Sequence, residues 1–167
     1  MPWLIRGDIM GGIESAFLFG MEGQLDLPFI PVGQTPEGNR LIANLAGGTF
    51  AGPKLKGRIA RSGGDWGLMR ADGSFKLDVR VCLIEEDGTP IYMHYFGRLV
   101  SKGRDAMAAL ADPALAATLT PSDYYFRSAP FFEVASDSKH AWLNHILGIG
   151  VGTISEVGIT YKVYEVL

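Results

Sequence analysis

Cysteine is nearly missing. Cys82 stands alone among 167 residues, so no disulfide closes within the chain and a reducing compartment is expected. Histidine is scarce as well, with three residues. His140 and His145 are five apart, off the four-residue spacing that puts two imidazoles on one helical face. His94 stands by itself, so no metal site is expected. Basic residues do not dominate either: 15 Lys and Arg against 18 Asp and Glu leave a formal charge of −3. That balance offers nucleic acid no basic face and a membrane no polybasic anchor. Long apolar runs are also missing. No stretch approaches the ~20 residues of a membrane helix, and the Ala-rich run 106–118 is cut by Asp112 and Pro113. Residues 1–30 are broken by Arg6, Asp8, Glu14, Glu22 and Asp26, which does not read as a secretory signal. A cytoplasmic protein with neither a nucleic-acid nor a membrane partner is expected.

Glycine, in contrast, is abundant at 22 residues, which with many β-branched and aromatic residues favours strands and turns over a helical bundle. Residues 30–48 carry loop punctuation in Pro31, Gly33, Pro36 and Gly38. Leu55, Gly57 and Ile59 alternate with Lys56, Arg58 and Ala60 as in a half-buried strand, and Ser62-Gly63-Gly64 reads as a turn. Strands follow at 65–70, 75–84 and 91–100, joined by turns at Asp72-Gly73 and Asp87-Gly88. Residues 103–119 look helical, 136–148 read as a short helix and 158–166 as a last strand. One or two minor helices among seven to ten short strands, with no βαβ rhythm, point to an all-β antiparallel barrel or sandwich.

Near-motifs fail on mechanism. In "GGTFAGPK" Pro53 parts Gly52 from Lys54 and lacks the amide a phosphate loop needs. "GIGVG" has the wrong spacing and the wrong surroundings for a dinucleotide fingerprint. "SDSK" reads as a helix cap rather than a hydrolase motif.

Strand 75–84 parts into an apolar set (Phe75, Leu77, Val79, Val81, Leu83) and a set holding Asp78 and Arg80. Periodicity leaves open which set faces inward. Tyr92, His94, Phe96 and Arg98 share one face of the next strand, where His94 is either a satisfied histidine or an acid–base group. Asp65-Trp66 follow a glycine pair, either as a turn carboxylate and a core indole or as the mouth of a barrel. Glu85, Glu86 and Asp87 read as a solvated hairpin tip. "YYFRSAPFFEV" (124–134) packs five aromatic residues into eleven yet includes Arg127 and Glu133. Those two are six apart, about 20 Å on a straight strand, so neither can neutralise the other. Pro130 is expected to bend or break the run. Each charge then needs its own partner, in a structural ion pair or in the wall of a ligand site. Trp142 reads as a core plug, and Asn144 as a tie to loop backbone or a cavity group.

The motifs "GGTFAGPKLKG", "GGDW", "DGSFKLDVR", "EDGTPIYM", "YFRSAPFFE" and "WLN…GIGVG", in this order, resemble an uncharacterised family of bacterial and fungal proteins. It is known only as domain of unknown function 3237. The resemblance runs from about Pro28 to Val166, leaving residues 1–27 as an N-terminal extension or first strand ahead of a barrel domain at 28–167. It implies a single calycin-like (lipocalin-like) β-barrel, found as a homo-oligomer. By analogy of fold, such barrels hold small hydrophobic ligands, and some are cofactor-free enzymes. The resulting expectation is a barrel binding a small apolar or aromatic oxygenated molecule, without cofactor. Asp65, His94 and Glu133 are the candidate proton-transfer groups. Trp66, Arg80, Tyr92, Tyr125, Arg127, Trp142 and Asn144 are the candidate substrate contacts. Such a site suits a hydratase, isomerase, lyase or cyclase. The alternative is a non-catalytic carrier or oligomer subunit whose charges form structural ion pairs.

Overall fold

The computed structural model describes residues 12–156 and 158–167. Nine strands form one antiparallel sheet: β1 (Ser15–Leu25), β2 (Ile30–Thr35), β3 (Gly38–Ala51), β4 (Lys56–Met69), β5 (Phe75–Glu85), β6 (Pro90–Ser101), β7 (Tyr124–Glu133), β8 (Gly148–Ser155) and β9 (Gly158–Val166). Each of β3 to β8 pairs with the next, β9 pairs with β1, and β1 pairs back onto β3. Eight strands therefore close a barrel. β2 lies outside the closure, paired to the first half of β3. The barrel is closed by β1, so residues 15–25 are part of the wall. Residues 1–11, on which the expectations of an N-terminal extension and of no secretory signal also bear, lie outside the described residues. No helix among the described residues is long and apolar enough to cross a membrane.

The orientation left open by periodicity is settled by burial. Phe75, Leu77, Val79, Val81 and Leu83 point inward into a core shared with Phe19, Met93, Leu99, Phe126 and Val163. Asp78 and Arg80 point outward.

Several local expectations need correction. Residues 30–48, expected as loop, are β2, a turn at 36–37 and most of β3. The expected turn at 62–64 is a bulge inside β4: the β4–β5 register slips between Ile59 and Gly63. Gly63 has φ +95°, and a Cβ there would meet the Arg80 carbonyl oxygen at 2.1 Å, so glycine lets β4 bend without breaking. Pro130 does not break β7. The ladder to β6 continues through it, with Tyr95 opposite Pro130. On the other side of β7, pairing with β8 is confined to Arg127 and Ser128. "GIGVG" is strand β8, and its alternate glycines face inward under β7. Cβ atoms at Gly148, Gly150 and Gly152 would strike Pro130, the Ser128 hydroxyl and the Phe126 ring. The glycines are there for this close packing.

The expected helix at 103–119 is two single turns, α1 (Ala106–Ala109) and α2 (Pro113–Ala116), each capped by an aspartate, Asp105 and Asp112. Pro113 forces Asp112 into an extended conformation and ends the first turn. The expected helix at 136–148 shrinks to a 3-10 turn at Ala141–His145, because Asn144 is held by hydrogen bonds to the backbone of Val134. The two ends of the barrel are thus covered differently. α1 and α2 contact β6 and β8 at one end, and the 3-10 turn, with Leu143 fully buried, fills the other.

Candidate functional site

Among the ten residues expected to form the site, Asp65 is the one that faces the barrel interior. Its strand partners explain this. Asp65 stands opposite Ala43 on β3 and Val79 on β5, and Val79 stands opposite Tyr95 on β6. These residues form one inward row around the barrel. Asp65 lines a small cavity with Met21, Leu45, Leu77, Tyr95 and Tyr161, whose space for a guest is about 30 Å³, roughly that of a single water molecule. Leu25 also lines a groove of about 270 Å³ between the barrel rim and the α1–α2 segment, with Leu27, Ala109, Leu110 and Pro113.

The local strand geometry places the carboxylate. The β4–β5 ladder omits the Trp66–Asp78 and Gly67–Leu77 pairs, where the Phe75 ring packs over Gly67. The backbone groups freed there find side chains. Asp78 N donates to Asp65 Oδ1 at 2.9 Å, and Arg40 Nη1 donates to the Trp66 carbonyl at 2.6 Å. Burial among apolar side chains pushes the Asp65 carboxyl from 3.8 up to about 7, and the nearby Asp78 charge adds to the rise. The amide hydrogen bond and the Arg40 charge oppose it without cancelling it.

Two tyrosines complete the polar lining. Tyr95 and Tyr161 are buried, with ring centroids 5.5 Å apart in an edge-to-face pair. Tyr161 Oη has no hydrogen-bond partner among the described residues. Burial raises both phenols above their usual range; the Asp65 charge adds to the rise at Tyr95, and the neighbouring Tyr95, then Asp65, add to it at Tyr161, so both stay protonated. Sequence reasoning missed this pair, because a tyrosine in an apolar alternation reads as core. The available signal was register: once Val79 faces inward, its partner Tyr95 must as well.

The other expected residues lie elsewhere, and the cavity-wall role expected for them is corrected. Trp66, Arg80, Tyr92 and His94 are on the outer face of β4–β6. The Arg80 guanidinium lies 5.3 Å from the Trp66 ring centre and 2.9 Å from Asp78 Oδ1. His94 Nε2 is 3.6 Å from the same oxygen. Tyr125, Arg127 and Glu133 occupy the outer face of β7, with the Arg127 guanidinium 5.2 Å from the Tyr125 ring centre. Trp142 and Asn144 belong to the 3-10 turn at the opposite end. Trp142 packs on the core beneath Lys54, 5.0 Å from its ring centre, and Asn144 ties down the backbone of Val134. Glu85 is not part of a solvated tip, as expected, but is buried.

The chain matches the family described as protein of unknown function (DUF3237) over residues 14–166, which takes in β1 as well. It is 26% identical to a UPF0311 protein of Clostridium acetobutylicum over 156 residues, 89% of this chain and 91% of that protein. Among solved structures, it is similar to a β-barrel-like protein of Acinetobacter baumannii, at 30% identity and a TM-score of 0.78, covering 94% of this chain and 98% of the other. An enzyme of Penicillium herquei shares the fold at 20% identity and a TM-score of 0.68, over 96% of this chain and 99% of that one.

Proposed function

The chain belongs to the DUF3237 family of proteins of unknown function, and from the carboxyl its barrel encloses we propose that it is a small-molecule-binding barrel in which Asp65 moves a proton. One observation carries this reading. A partly buried carboxyl facing the interior, desolvated to a pKa of about 7, sits in a cavity with two phenol donors. At neutral pH such a group is part acid and part base, the condition in which proton transfer is most effective. The phenols of Tyr95 and Tyr161 suit an oxygen that gains charge during the reaction. No cofactor is needed for such chemistry. The substrate is a small apolar or aromatic molecule carrying a carbonyl or hydroxyl, its apolar body in the groove under α1–α2 and its oxygen toward Asp65. A cavity of about 30 Å³ cannot hold the whole molecule, so binding requires Leu25 and the α1–α2 segment to shift. The fold likeness to an enzyme of Penicillium herquei agrees with this reading by analogy.

A thermal-shift screen with aromatic acids, enones and lactones tests it. Hits that stabilise the wild type, with chemical turnover lost in Asp65→Asn, are expected. No hit across the panel sinks the reading.

The outer wall supports a second role, as an oligomer subunit. Tyr92, Phe96, Tyr125, Phe131 and Ile149 are exposed on β6–β8, an apolar face of the kind that marks an interface. Arg98 and Arg127 stand opposite each other on β6 and β7, and neither joins an ion pair among the described residues. We propose that a second copy covers this face about a two-fold axis lying between the two sheets and crossing β7 at Pro130. Arg127 and Glu133 are each three residues from Pro130, so each Arg127 would meet the Glu133 of the other copy reciprocally. Sedimentation should show a dimer that Arg127→Glu dissociates and the double swap Arg127→Glu with Glu133→Arg restores. A wild-type monomer at micromolar concentration excludes this role.

A further inference from the structure

Glu85, Asp87 and His140 meet at the barrel end opposite the Asp65 cavity. Glu85 is the last residue of β5, Asp87 lies in the turn to β6, and His140 precedes the 3-10 turn. The imidazole is the unusual group. Its side chain is only 6% exposed, and Nε2 has no hydrogen-bond partner among the described residues. It points between two carboxylate oxygens, 3.4 Å from Asp87 Oδ2 and 3.6 Å from Glu85 Oε2. A charge-assisted hydrogen bond closes to about 2.7–2.9 Å, so both gaps are too long for one. They match the ~3.4 Å between neighbouring ligands of a tetrahedral ion whose bonds are near 2.1 Å.

We propose that Glu85, Asp87 and His140 bind a divalent transition-metal ion of the zinc type. The three ligand atoms lie within 4.8 Å of one another, so one ion can reach all of them with small side-chain adjustments. The donor set is one imidazole nitrogen and two carboxylate oxygens, which suits zinc and leaves a fourth position for water. The turn itself fixes the two carboxylates. Asp87 N donates to Glu85 Oε2 at 2.8 Å, and Thr89 N donates to Asp87 Oδ1 at 2.9 Å, which leaves Asp87 Oδ2 for the ion. Lys139 is the competitor, with Nζ 3.0 Å from Asp87 Oδ2. Its side chain is 66% exposed, so it can swing into water as the metal enters.

The ion would clamp the β5–β6 turn to the segment that fills this end of the barrel. The site could not be read from ligand spacing, because His140 follows Asp87 by more than fifty residues and only the closed barrel brings them together.

The test is calorimetric titration of zinc chloride into the EDTA-treated full chain, with melting temperature followed in parallel. A single zinc per chain is expected, at a micromolar Kd and with a melting temperature raised by several degrees. Asp87→Asn and His140→Gln should each weaken binding by at least about tenfold, and Lys139→Ala should strengthen it. Asp87→Asn lies in a surface turn and keeps the Thr89 contact, so it gives a readable result even if the buried His140→Gln fails to fold. An absence of zinc binding up to ~1 mM, or binding unchanged by both ligand variants, overturns the proposal.

Discussion

Asp65 and Asp78 lie on adjacent strands of the same wall and face opposite sides of it. Asp78 is on the outside, 2.9 Å from Arg80 Nη1 and 3.6 Å from His94 Nε2, with partly exposed partners that moderate its charge. Asp65 is on the inside, where the nearest compensation is one amide hydrogen bond and the neighbours are Leu45, Leu77, Val79 and two buried tyrosines. The outer arrangement is what a stable surface produces. The inner one weakens folding, since a buried carboxylate is disfavoured unless paired, and groups of that kind cluster at functional sites. A charged residue is therefore informative about chemistry here when its surroundings fail to neutralise it.

The sharpest way to break this inside–outside contrast is to remove aromatic rings from both sides. Phe126 is fully buried, 5.2 Å from the Tyr161 ring centre. Phe126→Ala should cost about 3–5 kcal/mol, read from urea unfolding. Phe96→Ala on the outer face should change the stability of an isolated monomer by no more than ~0.5 kcal/mol. A larger loss that grows with protein concentration would mean that a second copy covers the face.

Asp65→Asn comes next. Asp65 has a folded pKa of about 7 against 3.8 for the free group. Between those values the folded chain keeps a proton that the unfolded chain has lost. Its contribution is therefore complete below about pH 4 and is lost as pH rises through about 7. Relative to Asp65→Asn, the wild type should lose about 2–4 kcal/mol across that window and no more above it. Asparagine still accepts the Asp78 amide, so the variant should fold and be the more stable of the two at pH 8. Parallel wild-type and variant curves between pH 4 and 8 would mean that Asp65 titrates normally and lacks the proton-transfer role. Tyr161→Phe should have a smaller effect of the opposite kind from most core changes. It removes a hydroxyl without a partner and should stabilise the chain by up to about 1 kcal/mol, while weakening any ligand that stabilises the wild type.

The contrast also marks how far the sequence could be read. The meander was legible because Asp72-Gly73 and Asp87-Gly88 fix two hairpins, and the alternation in 75–84 divides its residues between two faces. Alternation names the two sets but not which faces the core, because a barrel wall one strand thick has an apolar face wherever another surface covers it. With that sign undetermined, Arg80, His94 and Arg127 looked as eligible for the interior as Asp65 did. Asp65 was legible from its glycine pair, though the reason was different: Gly63 bulges the strand. β8 was missed because three of its four inward positions, Gly148, Gly150 and Gly152, are glycines, so much of the packing information resides in β7. The Glu85–His140 contact was illegible because it depends on closure of the whole barrel.

The smallest effect tests whether the two sides are electrically independent. The Asp78 charge raises the Asp65 pKa, and the Arg40 charge lowers it. Neutralising them should therefore move the Asp65 titration in opposite directions. Asp78→Asn keeps its amide bond to Asp65 and should shift the midpoint down. Arg40→Gln should shift it up. Carbon-detected NMR of the Asp65 carboxyl would read both. Asp78→Asn should alter stability by less than about 1 kcal/mol, since it breaks partly exposed ion pairs. A midpoint unmoved in both variants would mean that burial alone sets the Asp65 pKa and that the outer charges are scaffolding. Opposite shifts would make the outer ion pairs a tuning device for the interior acid, acting through a wall one strand thick.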